Sequence, residues 1–278
     1  MGCQWFGRGG PLQGGVRKVR TGTGKLFRLL LGITALNPLS HGKGPVPKEI
    51  IDAIQARYSA QEKAASSRLA ENPKDVSAYS ARGDARLFLG DFAGSRSDYE
   101  KMIEFNPKLE ISHWRLGIAY FYLKEYPKAA RQFEIYHGYD QVDRENGIWR
   151  FMSQYKASGP KVAAKGLLKY EKDDRPPYPW LYEMYAGRLE PGRVFKTIDE
   201  QGFPERYKIR VLFHANLYVG IYLELTGADP GKALPFLRKA VSNEYGRSTG
   251  TYMWQVARIH HELLLKSVES GKRADPKR

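Results

Sequence analysis

The chain has 278 residues, 42% of them hydrophobic, and a net charge of +15 at pH 7. This composition supports a folded core, and no apolar run reaches the roughly 18 residues that a membrane-spanning helix requires. The single cysteine, Cys3, excludes a disulfide framework within the chain. More than half of the excess positive charge is N-terminal. Residues 1–48 contain eight basic and no acidic residues, and the rest of the chain contains 37 basic and 30 acidic residues.

Residues 1–45 form a basic, Gly-rich leader with an apolar stretch at 29–36. Positive charge followed by apolar residues resembles a secretory signal peptide. The segment 37–42 that follows offers no clean small-x-small cleavage site. Export to a periplasm is slightly favoured over a disordered cytoplasmic arm, and a helix lying on a membrane surface is the third alternative. The compartment stays uncertain at this point.

A polar, Ala-rich stretch at 47–70 carries apolar residues at helical spacing and predicts a helix. After it, a 34-residue self-similarity runs from Pro73 to about Asp143. Pairs of like residues stand 34 positions apart. They are Pro73 and Pro107, Gly83 and Gly117, Leu89 and Leu123, Phe92 and Tyr126, and Tyr99 and Phe133.

The glycines and the large residues of this period suit two antiparallel helices in close contact. Gly117 and Ala129 remove side chains where the two backbones approach, and Leu116, Tyr120 and Phe133 fill the space beside them. In the first copy Arg82 and Arg86 replace the expected Leu and aromatic residue, so the packing of that copy is open.

Residues 76–109 and 110–143 resemble two tetratricopeptide repeats, whose period is 34. The resemblance implies an all-α fold, an α-solenoid of antiparallel helix hairpins. Because two such repeats cannot bury their own apolar faces, more helices are expected. Degenerate hairpins at 146–171 and 213–243 supply them.

The remaining segments complete the predicted organisation. Residues 175–179 and 202–204 are helix breakers, and 252–264 predicts a capping helix. We therefore expect a leader at 1–45, one continuous solenoid at 46–268 and a basic tail at 269–278.

Motifs of catalysis and metal binding are incomplete. Residues 22–25 match only part of a phosphate-binding loop, and Leu265 stands where the second His of a zinc-protease helix would follow His261. The carboxylate pairs Asp173-Asp174 and Asp143/Glu145 are interpreted as solvated loop charges. We expect no metal, no cofactor and no enzymatic activity.

In tetratricopeptide repeats the first helix of each hairpin lines a concave face on which partners dock. Carried over by position, the resemblance implies a partner-binding surface that grades from polar to aromatic. Its candidates are Asp84, Leu87, Ile111, Trp114, Ile118 and Phe121. The alternative is that Trp114 and Phe121 pack inside the core. Some relatives hold an acidic peptide terminus with cations and Asn on this face. This chain has Ser80, Asp84 and Trp114 at those positions, so binding of chaperone tails is not expected.

The predicted function is a non-catalytic scaffold or adaptor that binds a protein or peptide segment in a helical groove. A weaker similarity over about residues 70–265 is to periplasmic tetratricopeptide lipoproteins of the new-lipoprotein-I type, which act as adaptors. The alternative function is association with nucleic acid through the basic N-terminal arm. Direct nucleic-acid binding by the remaining chain is not favoured, and a homodimer stays open.

Overall fold

A computed structural model describes residues 46–172, 174–227 and 229–274, with side chains to residue 270. Over these residues the chain is all-helical and contains no strand. The helices are α1 (Lys48–Glu71), α2 (Val76–Leu89), α3 (Phe92–Phe105), α4 (Trp114–Tyr122), α5 (Tyr126–Tyr139), α6 (Arg144–Ser158), α7 (Pro160–Lys165), α8 (Tyr178–Tyr185), α9 (Pro191–Glu200), α10 (Glu205–Leu225), α11 (Pro230–Ser242), α12 (Glu244–Thr249) and α13 (Tyr252–Ala274).

Neighbouring helices pack on one another along the chain, from α1 on α2 through α10 on α11. This arrangement confirms the predicted all-α solenoid of helix hairpins. The short α7 packs on α6, and α8 also contacts α6. Helix α7 therefore lies to one side of the series of sequentially packed helices. The leader, and with it the predicted signal or basic arm, lies outside the described residues.

Glycine sets the helix separation in both clear repeats. A Cβ built on Gly83 would lie 2.5 Å from a ring carbon of Tyr99, and one on Gly117 would lie 2.7 Å from Phe133 Cζ. Both ring residues are fully buried. These two contacts are 34 residues apart, and in each one the aromatic ring fills the space that the facing glycine leaves. They explain why the sequence repeats with a period of 34 residues.

The turn between α2 and α3 is fixed by local chemistry. Gly90 ends α2 in the left-handed region (φ 88°), where a residue without Cβ is not strained. Asp91 then begins α3, and its carboxylate accepts a hydrogen bond from Gly94 N at 2.9 Å. Asp75 caps α2 in the same way through Ala78 N at 3.0 Å.

The arginines that depart from the repeat pattern form a partly buried ion cluster around one buried carboxylate. Arg82 donates to both carboxylate oxygens of Asp98, Arg86 Nη1 donates to Asp98 Oδ2 at 3.0 Å, and Arg86 Nε reaches Glu62 at 2.9 Å. The Asp98 side chain is 2% exposed. Ion pairs thus join α1, α2 and α3 at positions where the repeat pattern would place apolar contacts.

Other segments differ from the prediction. Residues 107–112 form a 3-10 turn, so α4 has nine residues and begins at Trp114. The buried His113 packs on the Tyr99 ring, and Gln132 Nε2 donates to the Glu110 carbonyl at 2.8 Å, which holds this turn against α3 and α5. Helices α8 and α9 lie at 178–200, largely between the predicted breakers at 175–179 and 202–204, where the sequence analysis assigned no helix. Helix α13 runs on to Ala274, into the expected tail.

Candidate functional site

The predicted groove residues lie on α2, on α4 and in the turn before α4. Ile111 is in the 3-10 turn and not on the first helix of the second repeat, and it is 44% exposed. Trp114 and Asp84 are partly exposed, whereas Leu87, Ile118 and Phe121 are buried. The six residues therefore divide into three that solvent can reach and three that support them from the core.

The N-terminal part of α13 covers the α2–α4 face. The Tyr252 ring lies edge-on to Trp114 and to Phe88, with both centroid distances 4.8 Å. The Tyr252 hydroxyl lies 3.4 Å from that of Tyr99. The chain's own last helix thus packs on this part of the α2–α4 face.

Phe121 belongs to an aromatic cluster inside the solenoid. Its ring meets those of Trp149, Tyr126 and Tyr122 edge-on at centroid distances of 5.2, 5.5 and 5.7 Å. Trp149 in turn stacks on Phe133, the ring that faces Gly117. Such edge-on contacts between buried rings stabilise packing, so Phe121 contributes to the contact between α4 and α6.

Asp84 is held by groups of its own chain. Arg115 Nη1 contacts both of its carboxylate oxygens at 2.7 and 2.8 Å, and the Tyr99 hydroxyl donates to Oδ1 at 2.5 Å. Burial, with the neighbouring Tyr252 hydroxyl and Asp84 carboxylate, raises the pKa of Tyr99 and keeps it a donor. Arg115 Nη2 also reaches Ser80 Oγ at 3.0 Å. Arg115, the cation on this face, is therefore neutralised by Asp84.

Two polar side chains of α13, Arg258 and His260, join it to other helices. Arg258 Nη2 donates to the Phe88 carbonyl at 2.5 Å, at the last turn of α2. His260 lies between Glu224 Oε2 (2.6 Å from Nε2) and the Tyr122 hydroxyl (3.2 Å from Nδ1). Within the His-His-Glu sequence of α13, His260 therefore makes contacts with two other helices.

The interpretation of the two carboxylate pairs as solvated charges is wrong for three of the four residues, and Asp173 lies outside the described residues. Arg175 contacts Asp174 Oδ1 at 2.9 Å and Glu145 Oε2 at 3.0 Å, and it approaches Asp143 at 4.0 Å. The Asp174 side chain is only 4% exposed. Packing of the segment before α8 against α6 brings these charges together, although Arg175 and Glu145 are 30 residues apart.

This ion cluster continues into the core. Tyr218 donates a hydrogen bond to Glu145 and accepts one from Trp149 Nε1 at 3.0 Å. Arg175 lies over the Tyr178 ring at 4.4 Å, and the Tyr178 hydroxyl is 2.8 Å from His214 Nδ1. Burial, and then the charge of Arg175, lowers the pKa of His214 to about 3, so this imidazole is neutral at physiological pH. The sequence analysis noted the carboxylate pairs but did not predict this network, because its members come from four separate elements.

Within the described part of the chain, no group of three or more His, Cys, Asp and Glu side chains is arranged to hold a metal ion. None of the helices described is both long and apolar enough to cross a membrane.

No family model matches the chain. It is 32% identical over 116 residues to the Hsp70-Hsp90 organizing protein of Triticum aestivum, and the alignment covers 41% of this chain. The same alignment covers 20% of the Triticum protein, so the chain spans about a fifth of that relative. The similarity and the all-helical fold are consistent with the tetratricopeptide resemblance and lend no support to the narrower lipoprotein type.

Proposed function

We propose that this chain is a non-catalytic scaffold that binds a segment of a protein partner. The observation that carries the proposal is the repeat packing of Gly83 on Tyr99 and Gly117 on Phe133, a form of helix hairpin that builds binding surfaces. The similarity to a protein named as an organizer of Hsp70 and Hsp90 supports the same class of function.

The proposed contact surface is the accessible rim of the α2–α4 face, made of Ile111, Trp114 and Asp84. Ile111 and Trp114 are three residues apart, and Arg115 joins the α4 segment to Asp84. Leu87, Ile118 and Phe121 lie behind this rim and hold its backbone in place. Aromatic residues backed by a packed core are frequent anchors at protein interfaces.

Chaperone partners are not the proposed ligands of this rim. An acidic peptide terminus would meet the Asp84 carboxylate, and the nearest cation, Arg115, is already paired with it. A partner segment that offers an apolar or aromatic residue to Trp114 and a donor to Asp84 fits the charges better.

Photo-crosslinking tests this surface. A photoreactive residue at Ile111 is expected to capture a defined partner, and the same residue at Tyr139, which is 61% exposed on α5, serves as the matched control. Trp114→Ala is then expected to weaken binding of the purified partner at least tenfold with unchanged helicity and melting. Equal capture from both positions would show that the rim is not the binding surface, and a Trp114→Ala variant that unfolds would show that Trp114 is a core residue.

Phe121→Ala tests whether Phe121 supports the rim from the core or contacts the partner directly. We expect this change to lower the melting temperature, because it removes a ring from the cluster with Trp149. If it abolishes binding without affecting stability, the partner reaches deeper than the rim. The export of the chain and the nucleic-acid role of its arm depend on residues 1–45 and stay predictions.

A further inference from the structure

The segment 160–172 departs from the packing of the other helices. Its helix, α7, has six residues and lies between Gly159, with φ of 85°, and Gly166. Ala163 is its one buried residue, and Val162 is 46% exposed. Residues 167–172 follow without regular secondary structure. One side of α7 rests on α6, and the other side faces solvent.

Four exposed lysines follow one another along this segment. We call them the lysine strip, and they are Lys161, Lys165, Lys169 and Lys172. In the described structure none of the four side-chain ammonium groups has an ion pair or a hydrogen bond. Glu171 is the one acidic residue between positions 160 and 172, so the segment carries a net charge of +3.

The lysine strip is electrostatically unfavourable as it stands. Lys161 and Lys165 are four residues apart on one short helix, where like charges destabilise the helix by a few tenths of a kcal/mol. Some exposed lysines elsewhere are neutralised by a neighbouring acid, as Lys101 is by Glu104 and Lys128 by Glu125. A ligand that supplies carboxylates would relieve this repulsion.

The surroundings of the lysine strip favour a protein ligand over nucleic acid. Tyr170 is the aromatic residue nearest in sequence, and its hydroxyl donates to the Asp143 carbonyl at 3.0 Å. Its ring is covered by Arg144 at 5.1 Å and meets Tyr182 edge-on. It therefore offers no open face on which a base could stack. The exposed Val162 instead gives the strip an apolar contact.

We propose that the lysine strip binds an acidic segment of a partner protein, with Val162 contacting an apolar residue of that segment. Charge complementarity selects the ligand, and attraction across an exposed surface is strongest at low salt. This surface is distinct from the α2–α4 rim, and the proposal does not depend on binding there.

The test uses the full chain and a fluorescent twelve-residue peptide of Glu with one central Leu. Changing the four lysines of the strip to Gln is expected to weaken peptide binding at least tenfold at low salt. The matched control changes Lys63, Lys108, Lys232 and Lys266 to Gln. These are also exposed and have no ion pair, so both variants fall from +15 to +11. The control is expected to lose less than twofold.

Two more arms complete the test. Changing the strip lysines to Arg should retain binding, because the charge is kept, and Val162→Ser should weaken it severalfold. Equal losses in the two Gln variants would overturn the proposal, since the peptide would then sense only net charge. Tighter, strip-dependent binding of a single-stranded RNA of similar length would also overturn it in favour of nucleic acid. Both Gln variants should melt like the parent chain.

Discussion

Arg258 donates a hydrogen bond to the carbonyl of Phe88 at 2.5 Å and so joins α13 to α2 across 170 positions. The Arg258 side chain is 5% exposed and also contacts Glu262 at 3.1 Å. A carbonyl at the end of a helix is one of its unsatisfied acceptors, and a buried cation there is favourable. This bond holds α13 over the face that the sequence assigned to a partner.

Arg258→Met should loosen that attachment. A charge-assisted hydrogen bond contributes about 1.5–3 kcal/mol, and Met keeps the apolar stem. We expect a loss of stability in this range and faster amide exchange in the first turns of α13. Lys266→Met, on the exposed side of the same helix, is the control. Unchanged exchange in the Arg258 variant would mean that apolar packing alone holds α13.

Gly117→Ala tests the close contact in the second repeat. The new Cβ would lie 2.7 Å from Phe133 Cζ, and overpacking of a core costs about 1–3 kcal/mol. Gly138→Ala in α5 has no atom within 4 Å of its Cβ and should gain up to about 1 kcal/mol from helix propensity. Chemical unfolding measures both. In a Phe133→Leu background the cost of Gly117→Ala should shrink, and an unchanged cost would place the strain elsewhere.

Asp98→Ala should be strongly destabilising. It leaves the guanidinium groups of Arg82 and Arg86 without their buried carboxylate, a change that costs about 3–5 kcal/mol. The triple variant Arg82→Leu, Arg86→Phe, Asp98→Leu replaces the cluster by the apolar types of the repeat pattern. Its stability should return close to that of the parent in urea unfolding. A single variant that loses less than 1 kcal/mol would show that water replaces the carboxylate.

Asp143→Asn should change how stability depends on pH. Burial, and then repulsion by Glu145, raises the pKa of Asp143 to about 7 from its usual 3.8, although Arg175 opposes the shift. The folded chain therefore binds this proton more tightly than the unfolded chain, and the resulting stability is full below pH 4 and is lost as pH rises to 7.

Asn has no proton to lose and can still cap α6 by accepting from Glu145 N. The stability of Asp143→Asn relative to the parent should therefore rise between pH 4 and pH 7 and stay level above it. Thermal melts across this range measure the difference. A difference that does not vary with pH would show that Asp143 titrates near its usual value.

The repeats were predictable because their information is local. Gly83 and Tyr99, and Gly117 and Phe133, are each 16 residues apart on the two helices of one hairpin, and their spacing is visible in the sequence. The caps Asp75 and Asp91 are local as well. Helices α8 and α9 were missed because they have only eight and ten residues, each with a proline in the first turn, and so short a pattern does not make helical periodicity stand out.

The sequence by itself determined the fold class and the hairpin contacts of residues 76–143. Only the tertiary structure decided that Tyr252 of α13 packs against Trp114, and that Arg175 contacts carboxylates of both α6 and the segment before α8. The physical reason is the length scale of the contacts. A hairpin is specified by residues a few turns apart, whereas the position of α13 depends on the accumulated rotation between successive hairpins, which no single repeat encodes.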